Sequence, residues 1–139
     1  MDSEYKEYDA FEKQMTAKYP AIFSQPYGDF AVGKGWWPIL ESLCANIQSH
    51  IDWKAKQGQF VPQVVVEQIK EKFGGLRFYY NGGDNTVDGM VRMAESWAGK
   101  SCETCGSPGK QRQGGWIRTL CDQHEEDRQQ RLKERLGNV

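Results

Sequence analysis

Apolar side chains recur along the chain at spacings that predict three helices before residue 100. In residues 3–19, 37–53 and 84–99 they lie three and four positions apart, as in a helix that buries one face. Pro20 ends the first pattern, Pro38 suits the first turn of the second helix, and residues 24–35 are predicted to be a loop. The faces expected in the core are Tyr5, Tyr8, Phe11, Met15 and Tyr19, then Ile39, Leu40, Leu43, Ile47 and Ile51, then Val87, Met90, Val91, Ala94, Trp97 and Ala98.

Residues 63–81 predict a β-hairpin with a turn at Gly74-Gly75. Pairing Phe73 with Leu76 divides the side chains between two faces. The apolar face holds Val65, Ile69, Phe73, Leu76, Phe78 and Tyr80, and the opposite face holds Gln68, Lys70, Lys72, Arg77 and Tyr79. A helix over residues 63–73 also fits the apolar spacing, but three successive valines favour a strand.

Four potential metal ligands follow this region: Cys102, Cys105, Cys121 and His124. They form two close pairs separated by about fifteen residues, the spacing of tetrahedral zinc sites, and predict one structural Zn²⁺. A disulfide framework is disfavoured because the polar, acidic start of the chain is no signal peptide. A redox Cys-x-x-Cys is disfavoured because residues 106–109, with sequence GSPG, stop any helix after the pair.

The residues around the ligands predict a treble-clef-like finger. Gly106 suits a tight knuckle after the first pair, whereas helix-forming residues follow His124 and place the second pair on a first helical turn. Between them, residues 110–120 predict a hairpin with a turn at Gly114-Gly115. Its expected register pairs residue 113 with residue 116, which sets Trp116 and Arg118 on one face and Lys110 and Arg112 on the other.

The predicted fold is therefore α+β, with a helical N-terminal part and a β-hairpin in residues 1–99 and the zinc finger in residues 100–139. Only Lys100 and Ser101 separate the third helix from the finger, so the finger is expected to dock on the α+β part. With 18 Lys and Arg against 19 Asp and Glu, the 139 residues show no overall electrostatic commitment to nucleic acid or membrane. Without a membrane-spanning apolar run, we expect a soluble, cytoplasmic protein.

Several of these stretches together resemble a group of small uncharacterised bacterial and prophage-encoded proteins. The resemblance rests on KEKFGGLRFY at residues 70–79, the helix at residues 90–98, the Cys-x-x-Cys-Gly knuckle and GGWIRTLC at residues 114–121. It covers roughly residues 60–125. It implies a phage or mobile-element setting, where small proteins often act by binding host machinery, and it implies no catalytic residues.

Enzymatic readings of the cysteines and histidines fit poorly. A zinc deaminase needs His-x-Glu before its cysteines, but His50 is followed by Asp52, and four good ligands leave a zinc without the open position that catalysis requires. A treble-clef nuclease needs a histidine base on its hairpin, and no histidine lies between Cys105 and His124. We therefore expect a protein that is not an enzyme.

Two classes of partner remain open from the sequence. Near-neutral charge, many aromatic residues and a docked finger favour a host protein, bound by an adaptor or inhibitor. The basic hairpin faces leave a nucleic-acid-binding regulator as the alternative. The candidate contact residues are Lys70, Lys72, Arg77, Tyr79, Arg112, Trp116 and Arg118.

Overall fold

The computed structural model describes residues 2–137, with side chains from residue 5 onward, and confirms the α+β class. Within residues 2–137, none of the helices combines the length and apolarity needed to cross a lipid bilayer. The elements are α1 Asp2–Lys18, β1 Phe30–Ala31, a 3-10 turn Lys34–Trp36, α2 Trp37–Lys56, β2 Val65–Lys72, β3 Gly75–Asn81, α3 Asn85–Ala98, β4 Lys110–Arg112, β5 Arg118–Leu120 and α4 Asp122–Gly137.

The three predicted helices are confirmed to within a few residues at their ends. Helix α2 has Pro38 in its first turn, where the missing amide costs no hydrogen bond. Helix α3 begins after Asp84, whose Oδ1 accepts a hydrogen bond of 3.0 Å from the Val87 amide. This N-cap satisfies one of the free amides at the start of the helix.

One hydrophobic core joins α1, α2 and α3 to one face of the β-sheet. Fully buried side chains from the strands meet fully buried side chains from the helices, and close packing of this kind is the main favourable contribution to folding. The largest are Met15, Ile22, Trp36, Leu40, Ile47, Ile69 and Leu76. The predicted stripe of α1 is only partly right, because Met15 is buried and Phe11 stacks on Trp37 with ring centroids 4.4 Å apart, whereas Tyr5 is 76% exposed.

Strands β2 and β3 confirm the hairpin and the strand alternative for residues 63–73, but the predicted turn is wrong. Lys72 pairs with Gly75, so the turn residues are Phe73 and Gly74. Both have positive φ, 54° and 79°, as a type I′ turn requires. The Phe73 ring therefore lies outside the core and is 64% exposed, contrary to the prediction.

An irregularity in the ladder shifts the buried positions at the start of β2. The register slips by one residue between Val66 and Gln68, which reverses the alternation of faces on one side of the slip. Val66 is therefore buried in place of the predicted Val65, which is only half-buried. Beyond the slip, Ile69 and Phe78 pair directly and both enter the core, as predicted.

The loop predicted over residues 24–35 contains a short strand and runs into a helical turn. Strand β1 pairs in parallel with β2, with Phe30 opposite Ile69, so β2 is the central strand of three. The Ile69 amide donates to Asp29 O over 2.8 Å, and Gln68 Nε2 donates to Asp29 Oδ2 over 3.0 Å. A strand of two residues is too short to show any periodicity in the sequence.

Candidate metal centre

Cys102 and Cys105 lie on a tight knuckle that Gly106 closes. The Gly106 amide donates to Cys102 O over 2.8 Å, and Gly106 has φ 82°, a conformation that favours glycine. The Cys102 amide donates to Ser107 O over 2.7 Å on the far side of the turn. These bonds fix the backbone that presents both sulfurs, as the glycine after the pair predicts.

Cys121 and His124 lie at the start of α4. Cys121 directly precedes the helix, and the Glu125 amide donates to Cys121 O over 3.0 Å. The His124 amide points at Cys121 Sγ, 3.4 Å away, so the thiol occupies the place of an N-cap oxygen. Knuckle, two-stranded hairpin and ligand-bearing helix follow one another in the order predicted for a treble-clef-like finger.

The four side chains converge on one point. Sγ of the three cysteines and a ring nitrogen of His124 all lie within 4.8 Å of one another. Cys105 Sγ and Cys121 Sγ are 3.8 Å apart, and Cys102 Sγ is 3.6 Å from His124 Nδ1. Tetrahedral Zn–S bonds of about 2.3 Å and Zn–N bonds of about 2.0–2.1 Å require about 3.8 Å and about 3.6 Å for these atom pairs. Both distances fit one tetrahedral ion, whereas Cys121 Sγ and His124 Nδ1, 3.2 Å apart, lie closer than such an ion would hold them. The cluster is therefore close to the size of one tetrahedral ion.

The surroundings of Cys105 favour its ionised form. Hydrogen bonds from the Ser107 hydroxyl and then from the Ser107 amide lower the pKa of the Cys105 thiol to about 6. Thiolates, not thiols, bind metals. The knuckle is thus arranged to present a metal-binding sulfur near neutral pH.

A short glycine-containing segment before α2 packs against the knuckle. The Gly35 amide donates to Glu103 O over 2.9 Å, and the buried Trp36 donates from Nε1 to Ser101 O over 2.9 Å. A Cβ atom on Gly35 would lie 1.9 Å from Cys102 O, and one on Gly33 would lie 2.2 Å from Glu103 O. Residues 33–36 therefore form a docking surface for the finger that sequence reasoning missed. The sequence signal for this surface is a tryptophan that follows two glycines separated by one residue.

Glu103, between the two knuckle ligands, ties the knuckle to β5. It is 7% exposed, and its carboxylate accepts 2.8 Å and 3.1 Å hydrogen bonds from Arg118 Nε and the Thr119 amide. Thr119 in turn donates from its hydroxyl to Gly74 O in the β2–β3 turn. Arg118, a predicted partner contact, is half-buried and is thus held against the knuckle by a carboxylate.

The finger hairpin has a different register from the prediction. Arg112 pairs with Arg118, so five residues form the loop and the expected Gly114-Gly115 turn is wrong. Directly paired residues share a face, which also overturns the predicted separation of Arg112 from Arg118. Arg112 bonds through Nη2 to Asp122 Oδ1 over 2.7 Å, while Trp116 lies in the loop and is 69% exposed.

The other four predicted contact residues, Lys70, Lys72, Arg77 and Tyr79, share the outer face of the β2–β3 hairpin, as the sequence predicted. Lys70 pairs directly with Arg77, and Lys70 Nζ lies 5.9 Å from the centroid of the Tyr79 ring. This face is the one that Ile69 and Phe78 do not occupy. A role of these residues in partner binding stays a prediction.

The remaining histidine and cysteine have structural surroundings. His50 Nε2 lies 2.9 Å from Asp84 Oδ2, and this hydrogen bond is the main cause of a lowered Asp84 pKa. Cys44 is buried in the core, and burial raises its pKa to about 12. Across the residues that the structure describes, Cys102, Cys105, Cys121 and His124 are the one group of His, Cys, Asp or Glu placed to hold a metal ion.

Comparison with known proteins returned no relative. No protein-family model, no curated protein and no solved structure matches this chain.

Proposed function

We propose that the protein is a non-catalytic, zinc-stabilised binding module that acts on another protein as an adaptor or inhibitor. Three thiolates and one imidazole are a donor set typical of structural zinc. The four ligands complete a tetrahedral shell, which leaves no position for a substrate or an activated water. The ion would hold the knuckle to α4 and so contributes to folding rather than to a reaction.

The placement of the second histidine also supports a non-catalytic role. His50 faces Asp84, the residue that caps α3, and its side chain is 10% exposed. An imidazole used in this way supports the carboxylate that caps a helix start. The proposed activity is therefore binding.

The observation that carries the choice of a protein partner is an apolar groove between α2 and α3. The groove has a volume of about 440 Å³, and none of its lining side chains carries a charge. Trp97 and Met93 are 59% and 68% exposed there, although Trp97 was predicted to lie in the core. Tryptophan and methionine are enriched at protein interfaces, and methionine adapts to varied apolar partners. The apolar lining is Pro38, Ile39, Leu43, Met90, Met93, Ala94 and Trp97.

The proposed occupant of the groove is an apolar segment of a host protein. An uncharged groove offers nothing to phosphate groups, whereas it fits the apolar face of an amphipathic helix. The resemblance to prophage-encoded proteins supports a phage-derived chain that binds host defence or nucleic-acid machinery. The proposed location of the protein is the cytoplasm of the host cell.

Site-specific photocrosslinking would test this proposal. Met93 is replaced by a photoreactive phenylalanine derivative, the crosslinked host protein is identified, and its affinity for the unmodified chain is measured with purified components. Trp97→Ala should weaken this binding by at least tenfold, because buried tryptophans dominate interface energies.

Trp53→Ala is the matched control, since Trp53 is 56% exposed on α2 but does not line the groove. It should leave the affinity unchanged. Equal affinities of the parent and Trp97→Ala for the identified protein would contradict the groove as the binding site.

A further inference from the structure

Three cationic side chains crowd together on the outer face of the β2–β3 hairpin. Lys70 lies directly opposite Arg77, and Lys72 lies opposite Gly75, over which the Arg77 guanidinium folds. Within residues 5–137, none of the three forms a salt bridge. This differs from the finger, where Arg112 and Arg118 each contact a carboxylate.

The arrangement works against the stability of the hairpin. Like charges directly opposite each other on paired strands are destabilising, and Lys70 and Arg77 are such a pair. Phe73 adopts φ 54° in the turn, where asparagine, aspartate or glycine would be favoured. Residues that cost stability where simple alternatives exist point to a requirement outside folding.

Two exposed aromatic rings accompany the cations. Phe73 is 64% exposed with Lys72 Nζ 5.8 Å from its ring centroid, and Tyr79 is 39% exposed beside Lys70. Next to Tyr79 lies a recess of about 420 Å³, lined by Gly28, Glu67, Gln68, Lys70, Tyr79 and Tyr80. Carboxylate and amide groups in such a recess can bond to the polar edge of a base.

We infer that this cationic hairpin face, formed by Lys70, Lys72, Phe73, Arg77 and Tyr79, binds single-stranded nucleic acid. Cations without carboxylate partners match the phosphates, and exposed rings match unpaired bases, the combination that single-strand-binding surfaces use. Three cations on one short hairpin are few for a duplex, whose stacked bases could not use the rings. The surface is separate from the apolar groove, so the two proposals stand or fall independently.

Fluorescence anisotropy with the intact, zinc-loaded chain provides the test. The probes are a labelled oligothymidine and oligouridine of about fifteen nucleotides and a duplex of the same length. We expect both single strands to bind with similar affinity and the duplex at least tenfold more weakly. The logarithm of the binding constant should fall with the logarithm of salt concentration with a slope near −2, or about −0.7 for each cation.

Substitutions separate recognition from folding. Tyr79→Ala should weaken single-strand binding by about tenfold or more, and Tyr79→Phe should not. Phe73→Asn places a residue that favours positive φ in the turn, and Lys70→Glu replaces the like-charge pair with an opposite-charge pair. Both variants should keep or raise the melting temperature while they weaken single-strand binding. Lys56→Gln is the control, because Lys56 is an exposed cation at the end of α2, and it should change neither quantity.

Four outcomes would overturn the inference. Duplex binding as tight as single-strand binding would contradict the role of the rings. An unchanged affinity in Tyr79→Ala, or an equal loss in Lys56→Gln, would show that binding is not located on this face. Displacement of the strand by polyglutamate at matched charge concentration would identify an acidic protein segment as the better ligand.

Discussion

The contact between Gly35 and the cysteine knuckle provides the sharpest single substitution, Gly35→Ala. The added methyl group would lie 1.9 Å from Cys102 O, 2.6 Å from the Gly106 amide nitrogen and 2.8 Å from Glu103 C. Ordinary contacts begin at 3.4 Å, so the deficit exceeds an ångström at the closest atom. All three are backbone atoms, so no side chain can rotate out of the way.

Two costs follow from moving the knuckle away from Gly35. Overpacking of a close contact costs about 1–3 kcal/mol, and the lost hydrogen bond from the Gly35 amide to Glu103 O costs about 1 kcal/mol. Together they give a loss of about 2–4 kcal/mol in the free energy of unfolding. For 139 residues, each kcal/mol corresponds to about 3–4 °C, so the melting temperature should fall by roughly 10 °C.

Circular dichroism gives the melting temperature, and a colorimetric chelator reports how fast the metal leaves. Gly35→Ala should both melt earlier and release metal faster, because the displaced atoms belong to the knuckle. Gly115→Ala is the matched control, since no atom beyond its two chain neighbours lies within 4 Å of the added methyl group there. If Gly35→Ala melts within about 2 °C of Gly115→Ala, the two parts of the chain are not packed as described.

Three further predictions concern the core, the cap of α3 and the buried carboxylate. Phe78→Ala should lower the free energy of unfolding in urea by about 3–5 kcal/mol because Phe78 is buried, whereas Lys72→Ala should leave it nearly unchanged. Equal urea midpoints for the two variants would contradict the register. The pKa of Asp84 is lowered in the folded state, so its carboxylate stabilises the fold at pH values above the ordinary pKa, and this stabilisation is lost as the pH falls through the lowered pKa. Asp84→Asn should therefore lose less stability than the parent on acidification. Equal losses in the two proteins would refute this. Glu103→Ala should cost about 2–3 kcal/mol by urea denaturation, with the exposed Glu126→Ala as an unaffected control.

Much of the fold followed from local signals. The 3.6-residue spacing of apolar positions predicted α1, α2 and α3, and the ligand spacing predicted the metal cluster, because both signals lie within short stretches of sequence. The turn of β2–β3 was mispredicted for a physical reason. Glycine is the best residue for positive φ, so Gly74-Gly75 was the better local choice. The structure instead places Phe73 in the turn, where the Gly74 amide donates to Glu71 Oε2 over 2.6 Å, a side-chain contact that glycine preference alone does not reveal.

The docking of the finger could not be derived from local patterns. Gly35 and Glu103 are far apart in sequence, and the segment around Gly33 and Gly35 contains no apolar period. At Gly33 and Gly35 the backbone of the knuckle approaches too closely for any Cβ atom, so only glycine fits at these two positions. The exposure of Trp97 could not be predicted either. Its spacing matches the buried stripe of α3, but the groove beside it stays open.

The most direct test of the account is the metal content of the chain purified without a histidine tag, measured by mass spectrometry for the parent, Cys105→Ser and Cys44→Ala. A structural zinc bound by Cys102, Cys105, Cys121 and His124 predicts one zinc per chain in the parent and in Cys44→Ala, loss in Cys105→Ser, and a lower melting temperature after chelation. Substoichiometric zinc that Cys105→Ser leaves unchanged would contradict the metal centre.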